Sequence, residues 1–121
     1  MFIEHNQNPY GANIDDCVIR AISFALDASY QDVFDGLCEL ADKLGKDIDQ
    51  YCVFKKFLDN HGYECREVIT KNITVKQLSK YCKGHTVIVL VNGHLTCIKD
   101  GNVYDTWNPS RYKVQLLWEV N

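Results

Sequence analysis

The stretch DDCVIRAIS at residues 15–23 decides the fold of this 121-residue chain, because it predicts a cysteine in the first turn of a helix. The segment before it, residues 6–13, is rich in Asn and contains Pro and Gly, a composition that is incompatible with a helix. Either Asp15 or Asp16 is expected to be the N-cap, because aspartate is a favoured residue at that position. Apolar residues follow at the spacing of a helix face that packs on a core: Val18, Ala21, Ile22 and Ala25.

Two interpretations of Cys17 follow from this position. A thiol in the first turn of a helix lies at the positive end of the helix dipole, which favours the thiolate and therefore a nucleophile. The alternative is a core residue, because free cysteine is among the most buried residue types and the chain has six. The interpretation as a nucleophile therefore depends on a basic side chain elsewhere in the chain that can take the proton of the thiol.

The composition predicts one domain, residues 1–121, with a core of its own. The net charge of −3 and the scattered Lys and Arg residues do not favour nucleic acid as a partner. No apolar run approaches the roughly 20 residues of a membrane-spanning helix. The cysteines form no CxxC pair and the start of the chain does not resemble a signal peptide, so we expect no metal, no other cofactor and a reducing, cytoplasmic location.

The first half of the chain predicts three helices after an irregular arm at residues 1–13. The first helix covers residues 17–26. Ser29 opens the second helix with a sequence that resembles a capping box, and Gly45 stops it. Either Asp47 or Asp49 is expected to cap the third helix, which ends at Gly62.

The second half predicts strands, with one short helix that Thr74 caps and that ends near Gly84. The β-branched run at 86–91 is typical of a central strand, and Asp100-Gly101 predicts a two-residue hairpin turn. The expected strands are 63–69, 86–91, 94–99, 102–106 and 113–120. Helices followed by an antiparallel sheet define an α+β fold.

The predicted hairpin places a histidine beside a carboxylate. With Asp100-Gly101 as its loop, Lys99 pairs with Asn102 and His94 with Trp107, so Asp105 lies diagonal to His94 on the same face. A carboxylate in that place holds the imidazole tautomer, as in a nucleophile–base–orienter triad, and Trp107 is placed to shield the pair from water. The alternative for His94 is a histidine at a turn that is bonded to backbone.

Together these motifs resemble small papain-like cysteine peptidases. The resemblance rests on DCVIRAI at 16–22, GHLT at 93–96 and DGNVYDTW at 100–107, in the order cysteine, histidine, aspartate. In the order of these motifs, the chain is similar to the peptidase domains of bacteriocin exporters and to compact proteins encoded by phages or bacteria. The resemblance spans about residues 13–110 and implies a papain-like fold.

The resemblance implies a role for each member of the site. Cys17 attacks a carbonyl carbon, His94 takes and returns the proton, and Asp105 orients His94. The oxyanion hole would combine the Cys17 backbone N–H with a side-chain amide upstream. The family's glutamine lies six residues before the cysteine, where this chain has Gly11, so Asn13 is the nearest amide. Gln7 and Asn8 are alternative amides, and Asn108 is the alternative orienting residue if the strand breaks at Pro109.

The function expected from this resemblance is a thiol hydrolase or acyl-transfer enzyme that acts on a peptide, isopeptide or amide bond of a peptide or protein, in the cytoplasm of the producing or infected bacterial cell. Transglutaminase or deamidase chemistry uses the same triad. A different class of function is a catalytically idle papain-like fold that binds a protein, for instance a phage-encoded inhibitor of a host protein. Arg20 is interpreted as a structural ion-pair partner.

Overall fold

The computed structural model describes residues 1–67 and 72–121. It is an α+β fold in which these residues form four helices and six strands. The helices are α1 (Cys17–Leu26), α2 (Tyr30–Leu44), α3 (Tyr51–Asn60) and α4 (Val75–Ser79). The strands are β1 (Phe2–Glu4), β2 (Arg66–Glu67), β3 (Thr86–Val91), β4 (His94–Lys99), β5 (Asn102–Asp105) and β6 (Leu116–Glu119).

Several helix ends follow the capping residues of the sequence. The Ser29 hydroxyl accepts from the Asp32 N–H at the start of α2, and Gly45 ends that helix in a left-handed conformation. Thr74 and Gln77 form a reciprocal capping box on α4, which ends at Ser79, earlier than expected. The prediction that an aspartate caps α3 is wrong: Gln50 is the N-cap, and Asp47 lies in the turn before the helix, where its carbonyl accepts from Gln50 N–H at 3.1 Å.

The sheet has the order β1-β5-β4-β3-β6-β2 and is mixed, which corrects the prediction of an antiparallel sheet. The arm at residues 1–13 was expected to be irregular, but β1 within it pairs parallel to β5. The other strand pairs are antiparallel. Short strands of mixed character such as β1 carry no alternating pattern, so this pairing has little sequence signal.

The hairpin β4–β5 has the predicted register, with Lys99 opposite Asn102 and Cys97 opposite Tyr104. β5 ends at Asp105, one residue earlier than expected, and β6 is shorter than the predicted strand at 113–120. The predicted strand at 63–69 is reduced to β2, and its part at 68–69 lies outside the described residues.

Two apolar clusters cover the two faces of the sheet. The larger contains the buried faces of α1, α2 and α3, packed on Ile88, Leu95, Cys97 and Trp118. The smaller lies on the other face and includes Val75 of α4. α1 therefore packs directly against β4, and this contact brings the first turn of α1 to the start of β4.

Candidate active site

Cys17 is the first residue of α1 and is 8% exposed. Its N–H precedes the first hydrogen bond of the helix, which runs from Arg20 N to Asp16 O at 3.0 Å. The N–H groups of a first helical turn have no partner within the helix and point out of its end. Cys17 thus presents both a thiol and a backbone donor at the same place.

His94 and Asp105 are brought together by the β4–β5 hairpin, as the sequence predicted. His94 Nε2 lies 2.6 Å from Asp105 Oδ2, and both side chains are buried. A contact this short between an imidazole and a carboxylate is a charge-assisted hydrogen bond when the ring is protonated. Since Nε2 is engaged by Asp105, Nδ1 is the ring nitrogen left for Cys17.

The surroundings of His94 favour its protonated form. Burial by itself lowers the pKa of His94, but hydrogen bonds to Asp105 and to Cys17, with the charge of Asp105, outweigh burial and raise that pKa to about 9. Cys17 contributes to that shift and lines the same cleft as His94, so the thiol lies on the same side of the fold as the ring that Asp105 contacts. The structure thus groups a thiol, an imidazole and a carboxylate in one place.

A buried ion pair fixes the other side of Asp105. Arg20 Nη1 donates to Asp105 Oδ1 at 3.1 Å and to Thr106 Oγ1 at 3.1 Å, while Arg20 Nε donates to Asp16 Oδ1 at 2.6 Å. Burial acts to raise the pKa of Asp105, but the hydrogen bond from His94 and its charge, with the Thr106 N–H, hold it below its ordinary value. Asp105 is therefore an ionised acceptor with a fixed orientation.

The chain of polar contacts continues behind Arg20. Asp16 Oδ2 accepts from the Tyr30 hydroxyl at 2.7 Å and from Asn8 Nδ2 at 3.0 Å. Burial and the bond to Asp16 raise the pKa of Tyr30 to about 12. From the sequence, Arg20 was predicted only as an ion-pair partner and Asp16 only as a possible N-cap residue, and Tyr30 was not predicted to belong to the site. The spacing of Asp16 and Arg20, four residues apart on a helix, is the one sequence signal of this network.

Trp107 covers the pair from outside. Its ring lies 4.5 Å from the His94 ring between centroids, tilted by 43°, and it remains 40% exposed. Asn108 is exposed, and its Oδ1 accepts from Ser110 N–H at 3.1 Å. The residue that contacts His94 is thus Asp105, with Asn108 outside the site.

The three candidate side-chain amides upstream of Cys17 differ in their exposure and in their hydrogen bonds. Asn13 is exposed, and Asn8 is buried but occupied, since its Nδ2 donates to Asp16 and its Oδ1 accepts from Tyr10 N–H at 2.9 Å. Gln7 lies with Cys17 in the wall of one small cavity, and its Oε1 contacts His5 Nε2 at 2.7 Å. The amide nitrogen of Gln7 is therefore left as a side-chain donor in a cavity that Cys17 also lines.

A cleft of about 270 Å³ opens beside the thiol, with Cys17 and His94 in its wall. Six of its lining residues are aromatic or aliphatic side chains from α1, α3, β3 and β4: Val18, Tyr51, Phe54, Leu90, Val91 and Leu95. Two aspartates, Asp15 and Asp49, lie at the same cleft and are exposed. A concave surface that combines apolar side chains with polar groups is suited to bind a ligand.

Comparisons with models of protein families, with curated proteins and with solved structures find no match to this chain. Within residues 1–67 and 72–121, no helix has the length and apolar character needed to cross a membrane. The same residues contain no group of three or more His, Cys, Asp or Glu side chains placed to hold a metal ion. Any function therefore has to be argued from the geometry of the site itself.

Proposed function

We propose that this protein is a thiol hydrolase or acyl-transfer enzyme with a papain-like arrangement, in which Cys17, His94 and Asp105 act as nucleophile, general base and orienting residue. The observation that carries the proposal is the buried contact of 2.6 Å between His94 Nε2 and Asp105 Oδ2, with the Cys17 thiol at the same ring. A purely structural role would require neither a cysteine at an open helix end nor a substrate-sized cleft beside it.

The reaction begins with transfer of the Cys17 proton to His94, which gives a thiolate and an imidazolium. The thiolate attacks a carbonyl carbon, so a C–S bond forms and the carbonyl oxygen takes the negative charge. The imidazolium then protonates the leaving amine as the C–N bond breaks, which leaves an acyl-enzyme. A water molecule or an amine, deprotonated by His94, attacks the acyl-enzyme and releases Cys17.

Two donors are proposed to bind the oxyanion. The first is the Cys17 backbone N–H at the start of α1, and the second is the amide nitrogen of Gln7. Asn13 is a weaker choice because its side chain is exposed, and Asn8 already donates to Asp16. Preorganised donors of this kind stabilise the charge that develops in the transition state.

The substrate class that this chemistry supports is a peptide, isopeptide or side-chain amide. Water as acceptor gives hydrolysis or deamidation, and an amine gives transamidation. The six cysteines are free, which is compatible with the proposed location in a reducing bacterial cytoplasm. A phage or bacterial origin for such an enzyme remains part of the proposal.

The test is the pH dependence of iodoacetamide labelling, followed cysteine by cysteine by mass spectrometry. We expect Cys17 to label rapidly below about pH 7, where an ordinary thiol is almost entirely protonated. Cys52 is exposed and serves as the internal reference for an ordinary thiol. His94→Ala should remove the advantage of Cys17 and leave Cys52 unchanged.

Slow labelling of Cys17, at the rate of Cys52 and with the same pH profile, would overturn the enzyme and favour a protein-binding module on the same fold. If Cys17 is fast, a peptide library should yield hydrolysis that Cys17→Ala abolishes. Asp105→Asn should fold and keep a small part of the rate, because the amide can still contact His94 but does not stabilise the imidazolium.

A further inference from the structure

The cleft beside Cys17 is lined by both apolar and acidic side chains. Its described lining residues include two carboxylates, Asp15 and Asp49, and no lysine or arginine. Val18, Phe54 and Leu90 are among its apolar lining residues. A ligand that fills this cleft therefore meets both apolar surface and negative charge beside the thiol.

A neighbouring depression extends the negative charge. It shares Asp15 and Asp49 with the cleft and adds Asp42, Asp47 and Lys46, so carboxylates outnumber cations among its lining residues. Exposed carboxylates on two sides of a shared border reinforce one another in attracting a cation. The field near Asp15 and Asp49 therefore favours a positive group on that side of the cleft.

We propose that the cleft binds a lysine or arginine side chain of the substrate, next to the carbonyl that Cys17 attacks. These side chains have an apolar stem of three or four methylene groups and a cationic end, which matches the apolar and acidic residues that line the cleft. The stem packs on the wall formed by Val18 and Phe54, and the cation lies between Asp15 and Asp49. This inference rests on the proposed function, since it assigns the substrate class of the same site.

The experiment compares three peptidyl acyloxymethyl ketones that differ only in the residue next to the reactive group: lysine, norleucine or glutamate. The Cys17 thiolate displaces the carboxylate from the methylene carbon, so a C–S bond forms, a C–O bond breaks and the carboxylate leaves with the electron pair. Norleucine has the lysine stem without the charge. Rates are read as modification of Cys17 by intact-mass and peptide analysis.

We expect the lysine probe to react about tenfold faster than the norleucine probe, the effect of two exposed ion pairs of ordinary strength. The glutamate probe should be the slowest. The lysine preference should shrink as salt is raised from low ionic strength to about 1 M, because exposed charges are screened. The norleucine rate should change much less with salt.

The variant Asp15→Asn combined with Asp49→Asn should reduce the lysine-to-norleucine ratio to about one. The ratio within one variant cancels any change in the intrinsic reactivity of Cys17, which matters because Asp15 is near it in sequence. Glu39→Gln is the matched control, since Glu39 is an exposed carboxylate on α2 that pairs with Lys43 outside the cleft. That variant should keep the wild-type ratio.

The outcomes separate the two proposals. Fast labelling of Cys17 by iodoacetamide with equal lysine and norleucine rates would overturn the cleft assignment and leave the thiol enzyme standing. A lysine preference that survives the double variant would also overturn the cleft assignment, because residues other than Asp15 and Asp49 would then recognise the charge. An inert Cys17 would overturn both, since no acyl group would then be transferred beside the cleft.

Discussion

Asp105 has a separate cationic partner for each oxygen of its carboxylate. Oδ2 accepts from His94 and Oδ1 accepts from Arg20 and from the Thr106 N–H at 2.7 Å. A carboxylate held at both oxygens cannot rotate, so its direction toward the imidazole is set by residues that do not touch a substrate. Arg20 is in this sense a positioning residue rather than a catalytic residue.

Arg20→Met should slow alkylation of Cys17 and flatten its pH profile, because Asp105 loses the partner that fixes it. The same change should lower the free energy of unfolding by about 3 kcal/mol, as expected when one partner of a buried ion pair is removed. Iodoacetamide kinetics and urea unfolding measure the two effects.

Arg111→Met is the matched control, because Arg111 is exposed, and it should alter neither quantity. Arg20→Lys keeps the charge but replaces the planar, multiply donating group with a single ammonium. It should recover stability in part without recovering the pH profile. A wild-type profile in a folded Arg20→Met protein would contradict the positioning role.

Gln7→Ala should lower the rate of peptide hydrolysis about 10²–10³-fold without changing iodoacetamide labelling. Alkylation creates no oxyanion, so the difference between the two assays isolates the oxyanion donor. Asn13→Ala, a change at the amide that the sequence favoured, should have little effect in either assay because Asn13 is exposed. The reverse ranking of the two variants would assign the oxyanion hole to Asn13.

At the scale of elements, the order of helices and strands was largely predictable, because α1 and the β4–β5 hairpin have strong local signals. Apolar residues at helical spacing define α1, and Asp100-Gly101 sets the register that places Asp105 near His94. Contacts between residues that lie far apart in sequence were not predictable in the same way. The contact of Arg20 with Asp105 depends on how α1 packs on β4, and β1 pairs with β5 across the whole chain.

The N-terminus of α1 is an example of a local rule that tertiary contacts replace. Asp16 is the N-cap residue, as the sequence suggested, but its side chain makes no capping bond. Its carboxylate is used instead by Arg20, Tyr30 and Asn8. The start of α1 is therefore held by the buried network rather than by its own cap.

Asp16→Ser separates these two functions, because Ser and Asp are equally good N-cap residues in general. We expect the variant to lose about 3 kcal/mol of unfolding free energy, since Arg20 would lose a buried partner. Ser29→Asp at the N-cap of α2, whose side chain does cap, should change stability by only a few tenths of a kcal/mol. Equal, small effects in both variants, measured by urea unfolding, would show that capping alone holds α1.

At the scale of the whole molecule, the fold encloses charge at the junction of its layers. α1 lies between α2 and the sheet, so Asp16, Arg20, Asp105 and His94 meet where the helices contact the strands. Two carboxylates, those of Asp16 and Asp105, face one guanidinium, that of Arg20, so a protonated His94 balances the charges. The global stability should therefore depend on the protonation of one histidine.

The Cys17→Ala variant gives the clearest measurement of that dependence, because transfer of a proton from Cys17 to His94 would otherwise conceal the change in bound protons. A histidine whose pKa is raised on folding, here to about 9 in the intact site, stabilises the native state fully below its unfolded pKa of about 6.5. That stabilisation is lost as the pH rises through the folded pKa. The free energy of unfolding should thus fall by roughly 1–2 kcal/mol between about pH 6 and pH 8.5.

The buried Cys97 thiol, with a pKa raised to about 12, adds a dependence of the same sign only above the pKa of an unfolded thiol. Urea unfolding across the window measures the fall, and Cys17→Ala combined with His94→Gln should show none. A flat profile in Cys17→Ala itself would mean that the pKa of His94 is the same in the folded and unfolded states and that Asp105 does not stabilise its charge.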